Sequence, residues 1–234
     1  KMREEFQRRR GYDLLPWLPA LVGQTVDDAA GTGRFLQDYR RTVADLVAAN
    51  YYGRFRELTV KGGLRGTHPE SGGPGICCCI DALQCEGIND VPMGEFWSEG
   101  HGFNSAFSCI EAASIAHIHG APVVAAESFT ANPGEGWRKY PGDMKNQGDW
   151  AFCIGINRFL YHTFAHQSLG DRYRPGMTMG PYGVHWERGQ TWWPMVSSYH
   201  RYLSRWHHVL SQGQPVADIL YLTPEGAPQV FQAP

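Results

Sequence analysis

The stretch VPMGEFW, residues 91–97, ends a short apolar run on a glutamate set between a glycine and two aromatic rings, and VVAAESF, residues 123–129, repeats the pattern. Apolar runs of this length bounded by turn residues read as buried strands. A carboxylate facing inward at the end of such a strand is costly unless something hydrogen-bonds it, pairs with it or binds it. Two strands closing on the same residue type raise the question of which sheet brings those ends together.

Working outward from these two runs, four more strand candidates appear: DLLPWLPAL (13–21), GLRGTHPE (63–70), INRFLYHTF (156–164) and ADILYL (217–222). Segments with helical spacing lie between them, at 34–63, 103–120, roughly 142–153 and 190–213. Three of these run into glycine, at Gly62–Gly63, Gly120 and Gly213, a common C-terminal stop. Strand and helix in alternation predict βαβ units around a parallel sheet. The irregular stretches 71–90, 130–141 and 165–189 all follow strand ends, so the long loops gather on one face, where a β/α barrel keeps its working loops. No glycine-rich dinucleotide or P-loop signature follows a strand. The fold class expected is therefore α/β, a (β/α)8 TIM-type barrel. About six strands are expected against the eight of a closed barrel, so residues 1–234 form one partial barrel domain of a longer protein. A start on Lys1 inside a charged, helix-like stretch agrees with that expectation.

The chain has 234 residues, 42% of them hydrophobic, and a formal net charge of −2, enough to bury a substantial core. The near-neutral balance, without a long Lys/Arg block, argues against nucleic acid or an anionic membrane surface as a partner. No apolar run reaches the length of a membrane span, and the start has no signal-peptide apolar region. The six cysteines do not suggest a disulfide framework, because Cys77, Cys78 and Cys79 are adjacent. Buried apolar cysteine is the commoner state, ahead of a nucleophile or a thiolate metal site.

Polar residues close several strand candidates: Glu70, Glu95, Glu127 and His162. Carboxyls converging among Trp97, Phe96, Phe129 and Trp137 would sit in unlike environments, which is what an acid/base pair needs, and this is the layout of a glycoside hydrolase. The alternative is that these acids are surface residues, or structural acids paired with Arg158 or Lys145. Taken singly a glutamate favours that alternative, whereas two at matching strand ends favour the site. Aromatic rings beside polar groups suit sugars, whose CH faces stack while their hydroxyls take directed hydrogen bonds. His68, Asn157, His162 and His185, with Glu70 and Trp97, are the candidates for contacting substrate. His200, His207 and His208 read as the polar face of the last helix, and Trp192–Trp193 as a helix start packed on the barrel. No HExxH or paired-histidine spacing supports zinc. Glu70, Asp81 and Glu95 could offer oxygen ligands to a hard cation such as calcium, although EF-hand spacing is absent.

In this order, RRRGYDLLPWLPAL, RFLQDYRRTVADL, HPESGGPG with IDAL, DVPMGEFW, SIAHIHGAPVVAAESFT, GINRFLYHTF, TWW and LSQGQPVADILYL resemble the catalytic barrel of the α-L-rhamnosidases of glycoside hydrolase family 106. The resemblance covers nearly the whole chain. It implies the C-terminal part of the barrel of a large enzyme, periplasmic or extracellular, that removes terminal α-L-rhamnose from polysaccharides or other glycosides with inversion, with Ca2+ near the sugar hydroxyls. Glu127 then matches the carboxylate taken here as the base that activates water. Glu95 matches a second one, which holds water, sugar or the metal. The family's general acid falls upstream of residue 1, so residues 1–234 alone are expected to be inactive. GICCCIDAL departs from the family, which carries small or polar residues there. The remaining alternatives are a non-catalytic carbohydrate-binding relative and a glycosidase for another sugar.

Overall fold

The structure, a computed structural model, describes residues 1–66, 69, 80–98, 102–178, 180 and 182–222, with residues 102–106 described as backbone only. The chain divides into two compact units, one containing Lys1–Leu64 with α4 (Ala82–Ile88), the other Asn89–Ile219.

The first unit is helical. α1 (Met2–Arg10) carries Glu4 and Glu5 in its first turn and Arg8, Arg9 and Arg10 in its last, which suits the helix dipole at both ends. Its one buried residue, Phe6, packs edge-on to Tyr12 at 5.0 Å and beside Phe35 of α2 (Ala29–Val47) at 5.8 Å. Arg9 and Arg10 both reach Asp45 on α2, at 3.3 and 3.0 Å. The Asp28 carboxylate caps α2 by accepting from the Gly31 N–H at 2.5 Å. A π-helical turn, Ala48–Gly53, leads into α3 (Arg54–Lys61). Ala48 and Tyr52 form a small apolar cluster with Cys85 of α4.

The second unit is built on a parallel three-stranded sheet in the order β1 (Met93–Trp97), β2 (Ala125–Thr130), β3 (Arg158–Tyr161). α5 (Gly102–His119) connects the first pair and α6 (Pro141–Cys153) the second, and α7 (Val196–Leu210) follows. All three pack on the same face. There Phe96, Ala126 and Phe159 join Cys109, Ala112 and Ala116 of α5, Met144 and Phe152 of α6, and Leu203 of α7 in one core. Close approach depends on Gly94, where a Cβ would lie 2.7 Å from the Cys109 nitrogen, and on Gly148, which lets α6 settle on Phe159. The opposite face carries Met93, Glu95, Ala125, Glu127 and Leu160. Among the described residues the apolar cluster there is small, Val91, Met93 and Ala125 with Val123 and Leu160.

Two expected strands are not strands. Residues 15–22 form a 3-10 helix, because Pro16 and Pro19 lack the N–H that a sheet ladder needs. Residues 217–222 are irregular and exposed, with Leu222 at 99%; apolar alternation without a neighbouring strand makes no ladder. Much of 63–70 lies outside the described residues. Among the described residues the sheet therefore has three strands of the six expected. The architecture is α/β with a parallel sheet covered by helices on one side. No described helix is long and apolar enough to cross a membrane.

Candidate active site

Glu95 and Glu127 are direct register partners across the parallel β1–β2 pair, so both side chains leave the sheet on the same face at the same level. It is the face opposite the one on which α5, α6 and α7 pack. Glu95 is buried and accepts from the Trp97 indole N–H. Glu127, half-buried, accepts from the Thr130 hydroxyl at 2.8 Å. Both carboxylates are thus oriented by neighbours on their own strands. Of the two suspected ion partners, Arg158 and Lys145, the second is engaged by Asp149 at 2.5 Å.

Thr130 can reach Glu127 because β2 changes hand at its end. Simple alternation would send Phe129 to the carboxylate face and Thr130 to the helices. A register shift between Phe96 and Trp97 instead pairs Trp97 with Thr130, and Phe129 takes a left-handed backbone at φ 62°. Such a bulge re-aims the chain. Phe129 swings into the helix-side core against Phe96 (5.0 Å) and Phe159 (5.6 Å), fully buried. Phe96 and Phe129 are therefore core residues and do not line the site; of the expected aromatic neighbours on the sheet, Trp97 alone shares the carboxylate face.

The remaining candidates are distributed unevenly. Beyond β2, half-exposed Trp137 lies against His185 with ring centroids 4.4 Å apart. His185 is buried with a left-handed φ of 56°, and burial lowers its pKa, an effect opposed by the charge of Glu187 and reinforced by His162. His162 follows β3, its N–H donating to the Ser128 carbonyl at 3.1 Å. Trp97 meets Tyr182 edge-on at 5.8 Å. These residues all follow the C-terminal ends of the strands. Asn157 does not: it precedes β3, and its side chain accepts from the Val124 N–H and donates to the carbonyls of Pro122 and Leu210. It ties strand starts together and is not available to substrate. His68 and Glu70, like Cys77–Cys79, lie outside the described residues.

Sequence reasoning missed two acids at this end. Glu135 accepts from the Asn132 N–H at 3.0 Å and the Ser98 hydroxyl at 3.2 Å, linking the ends of β1 and β2. Glu187 is almost fully buried. A loop acid has no periodicity to announce it, although the GEGW and WERG stretches, aromatic and glycine beside an acid, repeat the pattern of MGEFW. His200 and His207 also differ from expectation: they stack on Trp186 (5.6 Å) and against Phe159 (5.1 Å), half-buried, and do not form a polar face. Trp192 is buried and donates to the Lys139 carbonyl at 3.1 Å, a packing role. Burial, with Asp81 and Glu86 nearby, pushes the Cys85 thiol up to about 12, which disqualifies it as a nucleophile. Among the described residues no three His, Cys, Asp or Glu side chains stand together as metal ligands.

A parallel sheet that packs its helices on one face and turns paired carboxylates out of the other, beside indole and imidazole rings, is the layout expected of a glycoside hydrolase. Comparison narrows the class: the chain matches the glycoside hydrolase family 106 model, alpha-L-rhamnosidase, over residues 1–233, and it belongs to that family. It is 39% identical over 224 residues to a Formosa agariphila protein named "Putative beta-glucuronidase", covering 96% of this chain and 18% of that protein. It also superimposes on the structure of a rhamnosidase from Novosphingobium sp. PP1Y with a TM-score of 0.82 at 35% identity, covering 97% of this chain and 22% of that one. The chain thus spans less than a quarter of the length of either relative.

Proposed function

We propose that this chain supplies one wall of the catalytic centre of a glycosidase that removes terminal α-L-rhamnose with inversion, Glu127 acting as the base that activates water and Glu95 holding the water or the sugar. The observation that carries this reading is the register pairing of Glu95 with Glu127 on the face opposite α5, α6 and α7. In a β/α barrel that face is the interior, and strand ends of the C-terminal side bear the chemistry. On this reading β1–β3 are consecutive strands of such a barrel, closed by strands from outside the three.

Neighbouring strands lie about 4.8 Å apart, which matches the ~5–5.5 Å carboxyl separation of retention better than the ~6.5–9.5 Å that inversion requires. Glu95 and Glu127 are therefore not the acid and base of an inverting pair. The proton donor to the leaving oxygen comes from a carboxyl on a more distant strand, and Glu127 works from the opposite side of the sugar. Trp97 presents an apolar ring next to Glu95, and Trp137 with His185 forms a second ring surface where the strands end.

One relative bears the name of a glucuronidase, so the sugar is tested directly. The full-length protein is assayed against aryl glycosides, and the first anomer released is followed by proton NMR. We expect cleavage of the α-L-rhamnoside, none of the β-D-glucuronide, and β-L-rhamnose as the first product. Preference for the glucuronide would contradict the sugar, and α-L-rhamnose appearing first would contradict inversion.

A further inference from the structure

The hydroxyl of Thr130 donates to Glu127 Oε1 at 2.8 Å, and among the described residues no donor meets the other oxygen, Oε2. The two oxygens of a carboxylate are equivalent until a donor chooses between them. A threonine hydroxyl carries one proton, so it engages one oxygen and leaves the other, and a charge-assisted bond of this kind is strong enough to set the plane of the carboxyl group. Thr130 is almost fully buried, whereas Glu127 is half-buried. The donor is thus held in the protein while the acid it meets stays accessible.

Reaching this position runs against the pleat. In a regular strand two residues three apart point to opposite faces, so Thr130 shares the face of Glu127 only because Phe129 takes a left-handed backbone. That conformation is unfavourable for a bulky aromatic residue and persists where its surroundings hold it. Three anchors hold it here. The Phe129 ring is locked in the core between Phe96 and Phe159 and stacks on Tyr161 at 6.1 Å. The Thr130 carbonyl accepts from the Ser98 N–H at 2.8 Å, across from β1. Two residues further on, the Asn132 N–H is held by Glu135. Backbone strain kept in place from the core, the neighbouring strand and the following turn has one result at the site, a hydroxyl on Glu127.

We propose that Thr130 is a positioning residue for the Glu127 base: by holding Oε1 it turns the carboxyl group so that Oε2 faces the attacking water, a role that rests on the glycosidase reading of this site. As the water oxygen bonds to the anomeric carbon and the glycosidic C–O bond breaks, the water proton passes to Oε2, and the leaving oxygen takes its proton from the carboxyl group on the more distant strand. The effect of Thr130 passes through Glu127, so it belongs to turnover and not to sugar affinity.

The test uses the full-length protein and the aryl glycoside it cleaves. Thr130→Val keeps the shape and removes the donor; kcat should fall about tenfold with KM changed less than about twofold. Thr130→Ser returns the hydroxyl without the methyl group and should bring kcat back to within about threefold of the unsubstituted rate. In the Glu127→Gln background Thr130→Val should change kcat less than about twofold, because no base is left to position. Thr130→Ala and Thr130→Ser differ by the hydroxyl alone, and their comparison decides the matter if Thr130→Val does not fold. Equal kcat with and without the hydroxyl, or an undiminished loss in the Glu127→Gln background, would overturn the positioning role and leave the glycosidase reading intact. Turnover by Glu127→Gln at the unsubstituted rate would overturn that reading and this role with it.

Discussion

Gly94 shows how a single residue sets the site. It sits between Met93 and Glu95, and any Cβ there would strike the backbone of Ser108 and Cys109, both at 2.7 Å. Backbone cannot rotate away as a side chain can, so Gly94→Ala must push α5 off β1. We expect a loss of about 2–3 kcal/mol, read from urea unfolding, whereas Gly134→Ala, whose Cβ meets nothing within 4 Å, should stay within about 0.5 kcal/mol. Equal stability of the two variants would contradict this packing. At this scale the sequence disclosed the paired acids, because Glu95 and Glu127 end recognisable apolar runs. It could not disclose Thr130, whose approach to Glu127 depends on the left-handed Phe129 breaking the alternation of β2. Nor could it separate Asn157, spent on three backbone groups, from an asparagine that waits for a sugar.

Among the elements, β1, β2 and β3 were legible as short apolar runs, and α5, α6 and α7 as the periodic segments between and after them. The segment 13–21 misled because its apolar content is that of a strand while its two prolines dictate a 3-10 turn. The periodicity of 190–213 marks α7, but a local pattern does not show that His200 and His207 pack inward. Burial lowers the pKa of His200, and burial with nearby Arg158 lowers that of His207; in both, Nε2 is buried without a partner, so an added proton would find no acceptor. A folded-state pKa below the unfolded value of about 6.5 means that the unfolded chain takes up the proton first. The stability that α7 gains from neutral imidazoles is therefore present above about pH 6.5 and is lost as pH falls through the folded values. Thermal midpoints should drop between about pH 7 and pH 5, and His207→Phe, which keeps the contact with Phe152 and Phe159 without a titrating group, should flatten that slope. An unchanged slope would contradict the account.

For the molecule as a whole, the two units differ in what the sequence could say of them. The first is a helical assembly whose clusters, around Phe6 and Phe35 and around Ala48 and Tyr52, have no counterpart in a strand-and-helix alternation. The second follows the alternation closely enough to position the carboxylates. A partial barrel is expected from six strand candidates, of which three form the sheet among the described residues; the number of strands is a property of pairing, and pairing is invisible to a local pattern. Two strands suffice for the proposed chemistry, in which Glu95 and Glu127 act together on a sugar held against the face opposite α5, α6 and α7. The measurement that tests it most directly is the turnover of an aryl α-L-rhamnoside by the full-length protein carrying Glu127→Gln, with its thermal midpoint recorded alongside. A fall in kcat of about 10^3-fold at an unchanged midpoint is the predicted result; a folded Glu127→Gln protein that turns over at the unsubstituted rate would contradict it.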